Sequence, residues 1–152
     1  WNILRMFNIY GPGQDPANTS LGMINIFLTM ALNSNLIEVK GSLNRFRDFI
    51  YIDDVASAWF KIVLSNKTKN KIYNIGTGKK TSIKELLNLI LNLLRKKITI
   101  KESKGTPGDF MGCYANIDRL KKDIGFSSKV NLKKGLKLFY DWSKEIRWNI
   151  KY

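Results

Sequence analysis

The sequence predicts a mixed α/β fold that includes a portion of parallel sheet. Short segments of β-branched and aromatic residues alternate with longer segments whose apolar residues recur with a helical period. Loops rich in Gly, Pro, Asn and Ser separate these segments. With 152 residues, 44% of them hydrophobic, the chain is long enough to bury a core within one domain. The predicted order is strand, helix, strand, helix, strand, helix, strand and terminal helices.

The first part of the chain predicts a strand, a turn and an amphipathic helix. Residues 1–10 are predicted to form one strand, and the glycines and prolines of residues 11–16 predict a turn after it. Residues 21–33 carry apolar side chains at positions 23, 24, 27, 30 and 31, which predicts a helix packed on one side. Another short strand is predicted at residues 37–40.

A further strand and helix follow two arginines. Arg45 and Arg47 precede an apolar run at residues 49–52, and two aspartates come directly after that run. We predict a strand over the run and a capped helix that ends near residue 64. The side chains expected on the apolar face of this helix share its spacing: Val55, Ala58, Trp59, Ile62 and Val63.

A Gly-Thr-Gly segment follows the strand predicted at residues 71–75. A Gly-x-Gly after a strand is compatible with a phosphate-binding loop, but residues 76–78 lack the third glycine of the dinucleotide fingerprint. A tight turn is the alternative interpretation. The next helix is predicted to begin at Ser82, which has capping-box spacing to Glu85, and to bury a wide apolar stripe up to residue 94.

The last third predicts a short strand at residues 98–101, a loop at residues 103–109 and two helices. Glycine, proline and a carboxylate in this loop would let its backbone approach a ligand while Asp109 accepts hydrogen bonds from hydroxyl groups. A plain turn is the alternative. Asn116 is predicted to cap a short helix that Gly125 ends, and Asn131 is predicted to cap the final amphipathic helix.

Composition narrows the classes of function. The formal net charge of +14 favours anionic partners such as nucleotides, nucleic acids or acidic membrane surfaces, without choosing among them. One cysteine and no histidine exclude an internal disulfide, the usual zinc sites and any Ser-His or Cys-His mechanism within this chain. We expect a reducing, cytoplasmic setting and no membrane span. Because the chain opens inside a predicted strand, we also expect it to be part of a longer protein.

Two polar side chains at strand ends are candidate ligand contacts. The planar guanidinium of Arg47 can hold a phosphate or a carboxylate through two parallel hydrogen bonds, although it could instead pair with Asp48 or with nearby backbone. Asn8 lies where the first predicted strand ends, and ligands of open α/β sheets bind beyond the carboxyl ends of strands. Its alternative role is to stabilise the turn that follows.

Four segments, in order and in spacing, carry a family resemblance. They are residues 4–12 (LRMFNIYGP), 47–55 (RDFIYIDDV), 73–78 (YNIGTG) and 107–116, which contains Pro-Gly-Asp and Tyr-Ala-Asn. The chain resembles the extended short-chain dehydrogenases, and among them the NAD-dependent nucleotide-sugar epimerases and dehydratases of the UDP-glucose 4-epimerase type. The resemblance implies the C-terminal part of a Rossmann-like fold, with the last sheet strands and a small mixed α/β substrate-binding subdomain. Residues 1–152 would be the nucleotide-sugar-binding portion, without the N-terminal NAD-binding portion.

The resemblance also implies a role for each residue that matches a family motif. Asn8 would bond the diphosphate, Arg47 would neutralise it and Asp109 would bond the ribose. Lys40 matches a position near the base. The backbone at Gly22 and Met23 would meet the nucleotide. The expected residues at the nicotinamide end of the NAD cleft are Met6 and Phe7.

One departure from the family pattern concerns the diphosphate. Many relatives place an arginine three residues before the aspartate of the Pro-Gly-Asp loop, where this chain has Thr106. We expect Arg45 or Lys104 to supply the missing cation.

The resemblance places the catalytic Tyr-x-x-x-Lys pair upstream of this chain. Tyr140 and Lys144 have the spacing of that pair, but they lie on the predicted terminal helix, which is not a plausible setting for it. We therefore expect residues 1–152 to bind a UDP-sugar or a related nucleotide sugar without catalysis, and the whole enzyme to use NAD as a homodimer. A 4,6-dehydratase or decarboxylase of the same family, a basic nucleic-acid-binding module and a natural truncation kept as a binding protein remain alternatives.

Overall fold

The computed structural model describes residues 1–15, 22–105, 108 and 110–145. The strands are β1 (Asn2–Met6), β2 (Asn8–Tyr10), β3 (Leu36–Lys40), β4 (Phe46–Arg47), β5 (Phe49–Tyr51), β6 (Lys71–Ile75), β7 (Thr81–Ser82) and β8 (Thr99–Ser103). The α-helices are α1 (Met23–Asn33), α2 (Ile52–Leu64), α3 (Ile83–Leu94), α4 (Asp118–Ile124) and α5 (Leu132–Glu145). This alternation confirms the predicted mixed α/β class.

The strands pair in four separate ladders. β1 pairs with β6, β2 with β5 and β3 with β8, all parallel, whereas β4 and β7 are antiparallel. Parallel neighbouring strands need a crossover connection. In the chain, α1 lies between β2 and β5, and α2 lies between β1 and β6. The predicted portion of parallel sheet is therefore confirmed.

The prediction of one strand over residues 1–10 is wrong, because the chain changes partner at Phe7. β1 ends at Met6 against Ile75 of β6, and β2 begins at Asn8 against Phe49 of β5. The Phe7 N–H still donates to the Ile75 carbonyl at 2.9 Å. The crossing from one ladder to the other therefore places Asn8 at the junction of two strand pairs.

The aspartates after β5 do not cap α2 through their side chains. The N-cap position is Tyr51, and no side chain makes a capping hydrogen bond there. Asp54 is buried, and its carboxylate accepts hydrogen bonds from the backbone N–H groups of Lys129 at 2.9 Å and Val130 at 3.0 Å. It therefore fixes the segment that leads into α5.

The apolar face of α2 is narrower than its spacing predicts. Ala58 and Ile62 are buried at 0% and 1% exposure, as expected. Trp59 and Val63, which were predicted to lie in the core, are 62% and 66% exposed. The sheet covers one side of α2 only, so the other half of its apolar stripe lies on the surface of the described structure.

The predicted helix ends are largely confirmed. The side chains of Ser82 and Asn131 accept hydrogen bonds from backbone N–H groups three residues later, at 3.1 and 2.9 Å. Gly125 ends α4 with φ of 61°. Asn116 accepts instead from the Asp118 N–H at 3.0 Å, so α4 begins later than a cap at Asn116 would imply.

Two apolar clusters form the core. The first joins α1, α3 and α5 around side chains such as Leu28, Leu86 and Phe139. The second joins α2, α4 and the β1–β6 pair around Ile62 and Ile75. Of the helices that the structure describes, none has the length and apolar character needed to cross a membrane.

Candidate nucleotide-sugar site

The buried carboxylate of Asp48 organises the centre of the molecule. Asp48 is 0% exposed between β4 and β5. It accepts hydrogen bonds from the backbone N–H groups of Thr77 at 2.9 Å, Gly78 at 2.9 Å and Ala115 at 3.1 Å, and from the Thr77 hydroxyl. The amides of the Gly-Thr-Gly segment therefore bind an internal carboxylate, which favours the tight-turn interpretation over a phosphate loop.

Glycine at position 76 is required by close packing. A Cβ there would lie 2.5 Å from the Ala115 Cβ and 2.6 Å from an Asp48 carboxylate oxygen. Either distance is too short for a carbon contact. A glycine is thus needed at position 76 because the segments that contain Gly76 and Ala115 both pack closely against Asp48.

Asn8 lies next to this centre. Its side-chain Nδ2 donates to the Asp48 carbonyl at 3.3 Å, and its register partner in β5 is Phe49. This bond joins two distant segments of the chain and is not the stabilisation of the following turn that was the alternative role for Asn8. Because Asp48 directly follows Arg47 in the chain, the same bond places Asn8 next to the strand that carries Arg47.

Three of the predicted substrate-binding residues line one small cleft, where β2 ends and α1 begins. They are Asn8, Gly22 and Met23, and Phe49 lines the same cleft. Gly22 occupies the N-cap position of α1, where no side chain makes a capping bond, and the first turn holds no acidic residue. The positive end of the helix dipole and the Asn8 amide would attract an anionic group to the mouth of this cleft, whose interior of about 10 Å³ has room for about one water molecule.

The Arg47 side chain is buried at 7% exposure, and it is not among the residues that line the cleft. Its Nη1 donates to the Phe46 carbonyl at 2.8 Å, and its guanidinium carbon lies 4.5 Å from the centroid of the Phe110 ring. The hydrogen bond to nearby backbone, which was one alternative to a ligand contact for Arg47, is thus present. The stacked ring restricts the guanidinium, which is the arrangement that planar recognition of an anion needs.

Arg45 and Lys40 lie together at the end of β3. The Arg45 Nε donates to the Ser42 carbonyl at 3.1 Å, and its Nη2 donates to the Lys40 carbonyl. Lys40 itself is exposed opposite Ser103 in the ladder with β8. Arg45 thus shapes the loop that delivers Arg47, and its use as a substitute cation stays a prediction.

Two residues named in the prediction of the diphosphate and ribose contacts lie outside the described part of the chain. These are Thr106 and Asp109, so the ribose contact stays a prediction. Lys104 is exposed just after β8. At the carboxyl end of β1, Met6 is 56% exposed and Phe7 packs partly buried against the second cluster.

Sequence patterns identified neither Phe110 as a partner of Arg47 nor Asp48 as the organising carboxylate. An aromatic residue directly after the Pro-Gly-Asp segment was the available signal for Phe110. No local signal identifies Asp48, because its donors lie 29 to 67 residues away in the chain.

A second polar cluster joins β6 to α4, away from the cleft. Asp123 accepts from the Lys71 ammonium at 2.8 Å and from the Tyr73 hydroxyl at 2.6 Å. These two bonds lower the pKa of Asp123. Burial, and then the bond to Asp123, raise the pKa of Tyr73 to about 12. The cluster ties the edge of the sheet to α4 and shares no residue with the cleft.

Among the residues that the structure describes, no group of three or more His, Cys, Asp or Glu side chains is arranged to hold a metal ion. The lone Cys113 is exposed.

The model of the NAD dependent epimerase/dehydratase family matches residues 1–76. A candidate UDP-glucose 4-epimerase of Methanocaldococcus jannaschii is 34% identical over 142 residues, which are 93% of this chain and 45% of that protein.

A plant relative extends the range of named activities. The Arabidopsis thaliana trifunctional protein named for UDP-glucose 4,6-dehydratase, 3,5-epimerase and reductase activities is 29% identical over 140 residues, which are 91% of this chain and 20% of that protein.

The solved structure of UDP-glucose 4-epimerase from Thermotoga maritima with UDP-glucose superposes with a TM-score of 0.88 at 28% identity. The superposition covers 96% of this chain and 46% of that epimerase. This chain therefore spans slightly less than half the length of that epimerase and of the archaeal relative. By its motifs, its fold and its matching family model, the chain belongs to the NAD dependent epimerase/dehydratase family.

Proposed function

We propose that residues 1–152 are the nucleotide-sugar-binding portion of an NAD-dependent epimerase that oxidises the sugar of a UDP-sugar at C4 and reduces it again. One observation supports this proposal most directly. Asn8, Gly22 and Met23, which the family resemblance assigns to the nucleotide, line a single cleft, and the Asn8 amide donates to the carbonyl of Asp48, the residue after Arg47. We also expect the whole enzyme to be a cytoplasmic homodimer.

The proposed anion site combines three kinds of donor. The first turn of α1 offers backbone N–H groups at the positive end of a helix, Asn8 offers an amide and Arg47 offers a planar guanidinium. Together they would hold a diphosphate at a fixed point. Lys40 and Asp109 would contact the base and the ribose, as the family resemblance implies, and Arg45 or Lys104 would add a further cation.

The residues at the carboxyl end of β1 fit the nicotinamide end of NAD. Met6 presents an apolar side chain that is 56% exposed, and Phe7 follows it next to Asn8. An exposed apolar surface suits one face of a flat ring. When bound, NAD supplies the acceptor and the donor of the hydride that leaves and returns to the sugar.

This chain's own contribution is binding and orientation. Holding the diphosphate at Asn8 and Arg47 anchors one end of the substrate, so that the hexose ring can turn between its two orientations without being released. The binding energy of the nonreacting nucleotide then serves the reacting sugar. We expect this chain alone to bind the nucleotide sugar without turning it over.

The Tyr140 to Lys144 spacing is not the proposed catalytic pair. Lys144 is exposed, its ammonium lies 3.0 Å from an Asp141 carboxylate oxygen, and it stacks 4.6 Å from the centroid of the Tyr140 ring. The hydrogen bond with Asp141 raises the pKa of Lys144. A surface ion pair explains these contacts.

A nucleotide-sugar 4,6-dehydratase or decarboxylase is the second candidate, and the dehydratase in the name of the plant relative supports it. Both activities would use the same binding portion. Analysis of the product that the whole enzyme makes from UDP-glucose separates them, because only the dehydratase releases water and leaves a 4-keto sugar.

Calorimetric titration of this chain with UDP-glucose, UDP, dTDP and GDP tests the proposal. We expect saturable one-to-one binding of at least one nucleotide, with a shallow dependence on salt because a diphosphate presents two phosphates. Failure of all four ligands to bind would contradict the proposal. Tight binding of single-stranded or duplex nucleic acid, weakening steeply with salt, would instead support a nucleic-acid-binding module.

A further inference from the structure

A groove lies between the C-terminal half of α3 and the N-terminal half of α5, and the proposed nucleotide-sugar site does not use it. Its volume is about 640 Å³, and it shares no lining residue with the small cleft that Asn8 lines. Leu89 and Leu93 of α3 are half-buried in it, and Leu136 of α5 is 1% exposed. Because Leu89 and Leu93 are four residues apart, they lie on the same face of α3. The groove therefore has an apolar floor between two helices.

Four cations line this groove, and they come from both of the helices that form it. They are Arg95 at the C-cap of α3 and Lys133, Lys134 and Lys137 of α5. All four side chains are exposed, and no acidic residue is among the described residues that line the groove. Lys137 pairs with Asp141, whereas the other three cations make no ion pair within the described parts of the chain. The apolar floor thus has a positive rim.

A partner that complements this groove combines an apolar surface with negative charges on both sides of it. An amphipathic helix can lay its apolar face into a groove, with large apolar side chains at helical spacing as anchors. Acidic residues that flank those anchors would meet the cations of α3 and of α5. A second copy of this chain does not supply such a helix, because its net charge of +14 repels an identical molecule.

Other anionic partners fit this groove less well. Stacking of nucleic-acid bases uses aromatic side chains, and none is among the described residues that line the groove. A membrane surface takes up apolar side chains that project from the protein, whereas Leu136 is buried. An amphiphile with one anionic head would meet the cations of one helix only. Cations from two helices therefore favour a polypeptide with several acidic side chains.

We propose that the groove between α3 and α5 is a docking site for an acidic amphipathic helix of another protein. Apolar side chains of that helix fill the floor, and its Asp or Glu side chains pair with the cations of the rim. Exposed ion pairs contribute little affinity one by one, so the apolar contacts supply most of the affinity and the charges select the partner. The inference does not depend on the proposed function, since the groove and the cleft share no residue.

Fluorescence anisotropy with a labelled synthetic peptide tests the proposal on the unaltered chain. The peptide has about 16 residues, enough to form a helix, with Leu at helical spacing and Glu at the other positions. One control peptide has the same composition in scrambled order, and another has Lys in place of Glu. We expect a Kd of about 10–100 μM for the acidic amphipathic peptide and at least about tenfold weaker binding of both controls. Equal binding of the scrambled peptide, or no binding of the amphipathic one, would overturn the proposal.

Charge reversal at the rim locates the binding. The double variant Lys133→Glu with Lys134→Glu reverses two rim cations, and Lys121→Glu with Lys122→Glu makes the same change on α4, outside the groove. Because both double variants lower the net charge by the same amount, general attraction of an acidic peptide falls equally in both. The rim variant should bind the amphipathic peptide at least about tenfold more weakly, and the control variant should lose less than about threefold. Equal losses would overturn the proposal.

A polar substitution tests the apolar floor. Leu93→Asn should weaken peptide binding about tenfold, because it removes apolar contact from the groove. Leu138→Asn is the matched control, because Leu138 is 38% exposed on α5 and does not line the groove, and it should bind within about twofold of the wild type. If Leu93→Asn lacks the native circular dichroism spectrum, Asn92→Glu in the groove replaces it, with Asn88→Glu on the exposed side of α3 as its control. Unchanged affinity in the groove variant would overturn the proposal.

Two further measurements separate the groove from other sites and partners. Saturating UDP-glucose should leave the peptide bound, and displacement of the peptide would overturn the proposal. Vesicles of phosphatidylcholine and phosphatidylserine should bind the rim variant and the α4 control variant equally. Vesicle binding that is lost in the rim variant alone would identify a membrane surface as the partner and would also overturn the proposal.

Discussion

Replacing Asp48 by Asn should destabilise the protein far more than its conservative chemistry suggests. The carboxylate accepts from three backbone N–H groups at 2.9 to 3.1 Å, and also from the Thr77 hydroxyl. An Asn side chain keeps one acceptor oxygen and turns an N–H₂ group towards donors. At least one buried N–H then loses its partner, and the charge-assisted bonds weaken.

The magnitude follows from these contacts. A buried donor left without a partner costs about 1–3 kcal/mol, and bonds to a charged group are worth about 1.5–3 kcal/mol each. We expect Asp48→Asn to lower the free energy of unfolding by about 3 kcal/mol. For a domain whose total stability is about 5–15 kcal/mol, this is a large fraction.

Urea denaturation measures the effect, with fluorescence of the four tryptophans as the signal. Asp53→Asn is the matched control, because Asp53 is exposed in the first turn of α2 and the same change there should cost less than about 0.5 kcal/mol. A loss below about 1 kcal/mol for Asp48→Asn would refute the assignment of Asp48 as the organising carboxylate.

Two further predictions concern stability and pH. Gly76→Ala should lower the free energy of unfolding by at least about 2 kcal/mol, because its Cβ would meet neighbours at 2.5 Å; a thermal unfolding midpoint equal to that of the wild type would contradict this. Because the folded-state pKa of Tyr73 is raised to about 12, its contribution to stability is complete below its ordinary pKa of 10.0 and is lost as pH rises towards 12. The tyrosinate absorbance difference between the wild type and Tyr73→Phe should therefore appear near pH 12, and a midpoint near 10 would contradict the raised pKa.

Local sequence patterns predicted those parts of the fold that local physics determines. The apolar period located α1 and α3, and Ser82 marked the start of α3 because a capping side chain acts within one turn. The break at Phe7 was not predictable in this way, since it depends on which distant strands accept β1 and β2. Periodicity also did not predict that Trp59 faces outwards. It identifies the apolar side of a helix, but not which part of that side another element covers.

The same distinction between local and distant determinants applies to the candidate site. Motif resemblance identified Asn8, Gly22 and Met23, and the structure brings them to one cleft. It did not identify Asp48, whose importance lies in its burial and in donors that are distant in the chain rather than in its residue type. A property of that kind exists only once the chain is folded.

Binding of UDP-glucose to Arg47→Ala tests the central claim most directly. Arg119→Ala is the matched control, because Arg119 is exposed on α4 and its Nη1 donates to the Ile72 carbonyl at 3.1 Å, outside the cleft. If Asn8 and Arg47 hold a diphosphate, Arg47→Ala should weaken binding by roughly tenfold to a hundredfold with native circular dichroism, while Arg119→Ala binds within about twofold of the wild type. Unchanged affinity in Arg47→Ala, or equal losses in both variants, would contradict the account.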